Sequence, residues 1–75
     1  MKLNRVKKVR EEMKLTQEQL AAKVDCSIEE INEIEESKER TGFIIACKIS
    51  FALGVDLKDL FPLEYSRKEG NYRYG

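Results

Sequence analysis

The side chains of this chain that could do acid–base chemistry are mostly carboxylates. Five glutamates stand between residues 28 and 36. Two of them, Glu29 and Glu33, are one helical turn apart, where two carboxylates could act as an acid and a base, but a solvated helix face explains the pair better. The chain has no His and no Gly-rich phosphate loop. His-based catalysis is therefore excluded, and we predict that the protein is not an enzyme.

The two cysteines, Cys26 and Cys47, do not have the spacing of a metal site, and there is no His to complete one. We therefore expect neither a metal nor a cofactor. Both positions favour small buried side chains, and we interpret them as buried thiols. A disulfide would be unusual in a reducing compartment, so we predict two free thiols.

The acidic run belongs to the second of two neighbouring predicted helices. These two helices share the stretch 15–34, and the second of them, the third helix of the chain, is predicted over residues 28–36. Each helix begins with a capping box, in which Ser or Thr and a Glu or Gln three residues later bond to each other's backbone N–H groups. Two capped helices joined by a three-residue turn are typical of a helix-turn-helix. The boxes are Thr16 with Gln19 and Ser27 with Glu30, and the apolar faces are Leu20, Ala21 and Val24, then Ile28, Ile31 and Ile34.

Three further helices are predicted, over residues 4–13, 43–53 and 57–60. The first would bury Leu3, Val6, Val9 and Met13. The fourth would bury Phe43, Ala46, Cys47, Ile49, Ser50 and Leu53, while Ile44, Ile45 and Phe51 widen its apolar surface. Such a helix is either deeply buried or keeps an exposed patch for a partner. The tail, residues 63–75, fits either a short strand or hairpin or a disordered segment.

Length and composition indicate one small domain. Apolar residues make up 41% of the 75 residues, charged residues make up 37%, and the formal net charge is zero. This balance argues mildly against nucleic acid as a partner, because domains that bind it are commonly basic. No apolar run is long enough to span a membrane. No apolar signal segment occurs at the N-terminus, so we expect a cytoplasmic location and no membrane contact.

The pattern resembles the phage-repressor, Cro-like helix-turn-helix family over most of the chain. The matching residues are Leu15, Thr16, Gln17, Glu18, Leu20, Ala21, Val24, Ser27, Ile31, Ile34, Glu35, Lys38, Ala46, Lys48, Ile49, Ala52, Leu53, Gly54, Val55, Leu60 and Phe61. The resemblance implies an all-α, five-helix, lambda-repressor-like domain over residues 1–62. It implies a sequence-specific regulator of transcription, usually dimeric, that binds double-stranded DNA and needs no small-molecule substrate. Asp25 stands where the family usually has Gly.

The resemblance also implies the contact residues. The third helix would lie in the major groove and present Ser27, Ile28, Glu29, Asn32 and Glu33. Lys38 and Arg40 would touch the sugar-phosphate backbone. Gln17 would clamp a phosphate, or it is simply a good helix former. Arg5 and Arg10 would either contact phosphates at the edge of the footprint or form a solvated face.

The charge of the third helix opposes this interpretation, because the helix carries no Lys or Arg. Carboxylates near phosphates are repelled, although Glu can accept from cytosine N4 and Asn can pair with adenine. One alternative is a protein-interaction module whose acidic helix binds a basic partner, and another is a scaffold that has lost DNA activity. The surplus apolar residues Ile44, Ile45, Phe51, Leu63 and Tyr65 predict a homodimer through the fourth and fifth helices and the tail.

Overall fold

The computed structural model describes residues 4–37 and 41–62, which form five helices. They are α1 (Val6–Glu12), α2 (Gln17–Val24), α3 (Ile28–Glu36), α4 (Phe43–Leu53) and α5 (Leu57–Leu60). The predicted all-α, five-helix fold is confirmed, and the described residues contain no strand. The tail, residues 63–75, for which a strand or hairpin was one alternative, lies outside the described residues. No helix within the described ranges is long and apolar enough to cross a membrane.

Both predicted capping boxes form and set where α2 and α3 begin. Thr16 Oγ1 accepts from the Gln19 N–H at 3.0 Å, and Gln19 Oε1 accepts from the Thr16 N–H at 2.8 Å. The Ser27 and Glu30 pair repeats the arrangement at 3.0 and 3.2 Å. Each cap is worth about 1 kcal/mol, which matters for helices of only eight and nine residues.

Asp25 ends α2 in the left-handed conformation that the family usually gives to Gly. Its φ and ψ are 59° and 50°, and its backbone N–H donates to the Ala21 carbonyl. A left-handed conformation crowds the Cβ of an L-residue, but Asp tolerates it better than most residues. The turn between α2 and α3 therefore forms without Gly, at some cost in stability.

One apolar core holds the five helices together. α2 packs against α3 and α4, α1 packs against the same two helices, and α5 packs against α4. The core consists of Val6, Leu20, Ala21, Val24, Ile31, Ala46, Ile49, Leu53, Leu60 and Phe61. Two predicted core residues were wrong, because Met13 is 45% exposed and Phe43 is 61% exposed. Both stand at helix ends, where the neighbouring helices no longer cover the apolar face.

Arg10 and Glu35 form an ion pair inside this core. Arg10 Nε and Nη2 donate to the two Glu35 carboxylate oxygens at 2.6 and 3.1 Å, and Nη1 donates to the Leu15 carbonyl at 2.7 Å. The hydrogen bond to Glu35 raises the pKa of Arg10; burial lowers it, and the charges of Glu35 and Glu11 raise it further. Because the pKa of Arg10 is raised, the stability that this shift contributes is present at neutral pH and is lost as the pH rises into strong alkali.

The first prediction concerns this pair, whose side chains are 9% and 2% exposed. Arg10→Met or Glu35→Leu alone should lower the free energy of unfolding by about 3 kcal/mol or more, because each leaves a buried charge unpaired. The double variant should recover most of the loss. Urea unfolding of the four proteins gives the coupling energy. Additive losses would show that the two residues do not act as a pair.

The second prediction concerns Asp25. Asp25→Gly should remove the left-handed strain and raise the melting temperature by about 2–8 °C, equivalent to roughly 0.5–1 kcal/mol. Ala22→Gly, in the preceding turn of α2, is the matched control and should lower stability by about 1 kcal/mol. Thermal unfolding followed by circular dichroism measures both. A less stable Asp25→Gly variant would contradict the strain argument.

Candidate nucleic-acid interface

The exposed face of α3 carries all five residues predicted to lie in the groove. Ser27, Ile28, Glu29, Asn32 and Glu33 are each exposed. The opposite face carries Ile31 and Glu35, both buried, and Ile34, which packs against the core. This is the division expected of a helix that packs on one side and meets a partner on the other.

The carboxylates of Glu29 and Glu33 have no partner among residues 4–37 and 41–62. No hydrogen bond or ion pair joins either side chain to another described residue. Glu35 is bound in the core ion pair, and Glu30 is bound in the Ser27 capping box. Two of the glutamates therefore have structural roles, while Glu29 and Glu33 remain available to a partner.

Gln17 connects the start of α2 to α3. Its Nε2 atom donates to Glu35 Oε1 at 2.9 Å and to Asn32 Oδ1 at 3.3 Å. Asn32 in turn donates from Nδ2 to Glu36 Oε2 at 3.5 Å. No local sequence pattern predicts this contact, because Gln17 and Asn32 are on different helices. The first backbone N–H groups of α2 have no carbonyl partner within the helix and favour an anion.

The predicted phosphate contacts separate into three groups. Arg5 is exposed at the start of α1, in an open groove that is lined by both basic and acidic side chains. Arg10 is buried in the core, and all three of its guanidinium nitrogens donate to Glu35 or Leu15. The expected phosphate contact of Arg10 is therefore replaced by a structural role. Lys38 and Arg40 lie outside the described residues.

Both cysteines are free and half-buried. Burial raises the pKa of the Cys26 thiol, and the nearby carboxylates of Glu30 and Asp25 add to the effect, while Lys48 opposes it. A raised pKa reduces the thiolate fraction at neutral pH and makes this thiol less reactive. Among the described residues, no group of three His, Cys, Asp or Glu side chains could hold a metal ion.

Asn4 is a structural residue that the sequence analysis did not single out. It is 7% exposed. Its Oδ1 accepts from the Val6 N–H at 3.0 Å, and its Nδ2 donates to the Ile34 carbonyl at 2.8 Å. It therefore satisfies the first backbone N–H of α1 and holds that helix against the end of α3. The available signal was an Asn at the first residue of a predicted helix, where a capping side chain is common.

Comparison with known proteins agrees with this arrangement. A helix-turn-helix family model matches residues 6–60. The restriction-modification controller protein C.AhdI from Aeromonas hydrophila has a similar solved structure, with a TM-score of 0.71 and 23% identity over 76% of this chain and 86% of that chain. No curated protein matches.

The family match covers most of the chain and all five helices. Its members are DNA-binding regulators rather than enzymes, and the match does not favour the alternative of a protein-interaction module. The chain belongs to the Cro/C1-type helix-turn-helix family of DNA-binding transcriptional regulators.

Proposed function

We propose that this protein is a cytoplasmic repressor that binds double-stranded DNA as a homodimer and reads the major groove with α3. The observation that supports this most strongly is the exposed face of α3, which presents base-matching side chains on a helix whose other face is buried. Similarity in fold to a restriction-modification controller adds support for a role in gene control.

The exposed face of α3 offers mainly hydrogen-bond acceptors to a partner. Glu29 and Glu33 can only accept hydrogen bonds when ionised, which suits the N4 amino group of cytosine. Asn32 can pair with adenine, and Ile28, which is 43% exposed, can contact a thymine methyl group. Guanine offers only acceptors at this edge and would face carboxylates, so guanine is disfavoured wherever Glu29 or Glu33 reads.

The charge distribution supports specific rather than general DNA binding. Residues 1–14 hold six basic and two acidic side chains. Residues 15–36 hold one basic and seven acidic side chains, and residues 37–75 hold seven basic and five acidic side chains. The basic flanks would meet the phosphates on either side of the groove, through Arg5, Lys38 and Arg40. The acidic middle would oppose every site that lacks matching donors.

The proposal of a homodimer is based on the apolar side chains of α4 that are exposed to solvent. Phe51 is 91% exposed, Ile44 is 72% exposed and Phe43 is 61% exposed. A small domain rarely leaves so much apolar surface in one helix open to water. A symmetric pair formed through the α4 and α5 region, together with the tail, would place two α3 helices about 34 Å apart, one turn of DNA.

The third prediction tests DNA reading through charge. Glu29→Gln and Glu33→Gln should each raise affinity for random duplex DNA, by up to about fivefold at low salt, because each change removes a repelled carboxylate. Glu12→Gln, which changes an exposed carboxylate of α1, is the matched control. Lys38→Ala or Arg40→Ala should weaken binding to every sequence and lower the salt slope by about 0.9 per contact. Anisotropy titrations across salt measure all of these.

Two outcomes would contradict this proposal. One is that neither the wild type nor the Gln variants bind DNA at low salt. The other is that the Gln changes weaken binding to a basic protein partner. This result would favour the protein-interaction module over DNA binding.

The fourth prediction tests the dimer. Sedimentation equilibrium at micromolar concentration should give twice the chain mass for the wild type. Phe51→Lys should shift it toward the monomer, because a charge replaces an exposed aromatic ring at the contact. Met13→Lys, at an exposed apolar residue just after α1, is the control and should leave the mass unchanged. A strictly monomeric wild type would rule out the dimer.

A further inference from the structure

We propose that Asn4 is a positioning residue that fixes the direction of α3 relative to the dimer surface, and thereby the separation of the two half-sites that the dimer accepts. The inference rests on the proposed function, because it needs two copies of the chain that read two half-sites at once. It concerns a buried side chain outside the helix-turn-helix, at the point where the start of α1 meets the ends of α3 and α5.

The Asn4 side chain joins the start of α1 to the end of α3. Its Oδ1 accepts from the Val6 N–H at 3.0 Å, and its Nδ2 donates to the Ile34 carbonyl at 2.8 Å. A longer contact of 3.4 Å joins Nδ2 to Ser37 Oγ. The oxygen of the amide is therefore bonded to one helix and its nitrogen to the other. Because Asn4 is only 7% exposed, water cannot easily replace either bond.

The next residue ties the same segment to α5. The Arg5 N–H donates to the carbonyl of Leu60, the last residue of α5, at 2.9 Å. α5 packs against α4, which carries the exposed apolar side chains of the proposed dimer surface. Residues 4 and 5 therefore connect the helix proposed to read DNA with the helices proposed to form the dimer.

A second attachment makes the direction of α3 rigid. Arg10, in the last turn of α1, binds the Glu35 carboxylate of α3 through two hydrogen bonds of 2.6 and 3.1 Å. Asn4 precedes the first turn of the same helix. α3 is thus held from both ends of α1. Two attachments fix a direction, whereas one acts as a pivot, so loss of the Asn4 contact would let the end of α3 move relative to α5.

The geometry of DNA makes this direction important. One turn of about 34 Å holds about 10 base pairs, so each added base pair moves a half-site by about 3.4 Å and rotates it by about 34°. Hydrogen bonds to bases tolerate much less, because donor and acceptor must lie roughly 2.7–3.2 Å apart. A dimer with rigid α3 helices therefore accepts one separation of half-sites, and a dimer with pivoting helices accepts several.

The experiment begins with selection of binding sites from random duplex DNA by the wild type. The palindrome obtained is then made with one or two base pairs inserted or removed between its half-sites, and a single half-site is made as well. Affinities are measured by anisotropy at pH 8 for the wild type and three variants. Circular dichroism and sedimentation equilibrium check that each variant folds and forms the dimer.

The variants separate the two bonds of the Asn4 side chain. Asn4→Asp keeps the acceptor for the Val6 N–H, but its ionised carboxylate cannot donate to the Ile34 carbonyl. Asn4→Ser also keeps an acceptor and is too short to retain the same contact with Ile34. If one of the two does not fold, the other carries the test. Ala22→Gly, at an exposed position of α2, is the control for a general loss of stability.

The wild type should prefer one separation to its neighbours by roughly 5- to 150-fold, which corresponds to the loss of one base contact. Asn4→Asp and Asn4→Ser should lose most of that preference, because a pivoting α3 adjusts to a shifted half-site. Their affinity for the single half-site should stay unchanged, since the exposed side chains of α3 are untouched. Ala22→Gly should keep the full preference.

A preference for one separation that is as strong in Asn4→Asp and Asn4→Ser as in the wild type would overturn the inference and show that Asn4 contributes to stability alone. An equal loss of preference in Ala22→Gly would also overturn it, because general destabilisation would then explain the effect. Both results leave the proposed function in place. A wild type that selects no sequence, or only single half-sites, would overturn the proposed function, and the inference with it.

Discussion

The ion pair between Arg10 and Glu35 is the constraint on which the arrangement of the first three helices depends. A charge this deeply buried is tolerable only if its hydrogen bonds are satisfied, and here α1 supplies the guanidinium, α3 the carboxylate and α2 a further amide donor from Gln17. Apolar side chains of similar volume often give equal stability. The pair contributes directionality instead, because a two-point contact fixes the rotation of α3 about its own axis.

That rotation matters because α3 has two chemically distinct sides. Its buried side is apolar apart from Glu35, and its exposed side carries the carboxylates of Glu29 and Glu33 and the amide of Asn32. The zero net charge of the whole chain conceals this separation. Composition alone therefore argues against a nucleic-acid partner, whereas the position of each charge is compatible with one. The acidic residues are concentrated on the helix that we propose reads the bases, and basic residues precede and follow it in the sequence.

Local rules predicted the helices well and the tertiary polar contacts poorly. The starts of α2 and α3 were predicted correctly from Thr16 and Ser27, because a capping box involves only residues three apart in the sequence. Arg10 was misinterpreted as a surface cation, although it follows Val6 by one helical turn on the buried side. Only its distant partner Glu35 explains its burial. The contact between Gln17 and Asn32 could likewise not be predicted from the sequence, since it depends on how α2 and α3 cross.

The capping boxes have a consequence for how such a protein can diverge. The capping box of Ser27 and Glu30 starts α3, and the buried side chains of Ile31 and Glu35 hold it against the core. The residues that stabilise this helix are therefore different from those proposed to face a partner. Substitutions at 28, 29, 32 and 33 can therefore accumulate with little effect on folding. If α3 reads DNA as proposed, exchanging a few of its exposed side chains would change the sequence recognised, while the residues that fold the helix stay the same.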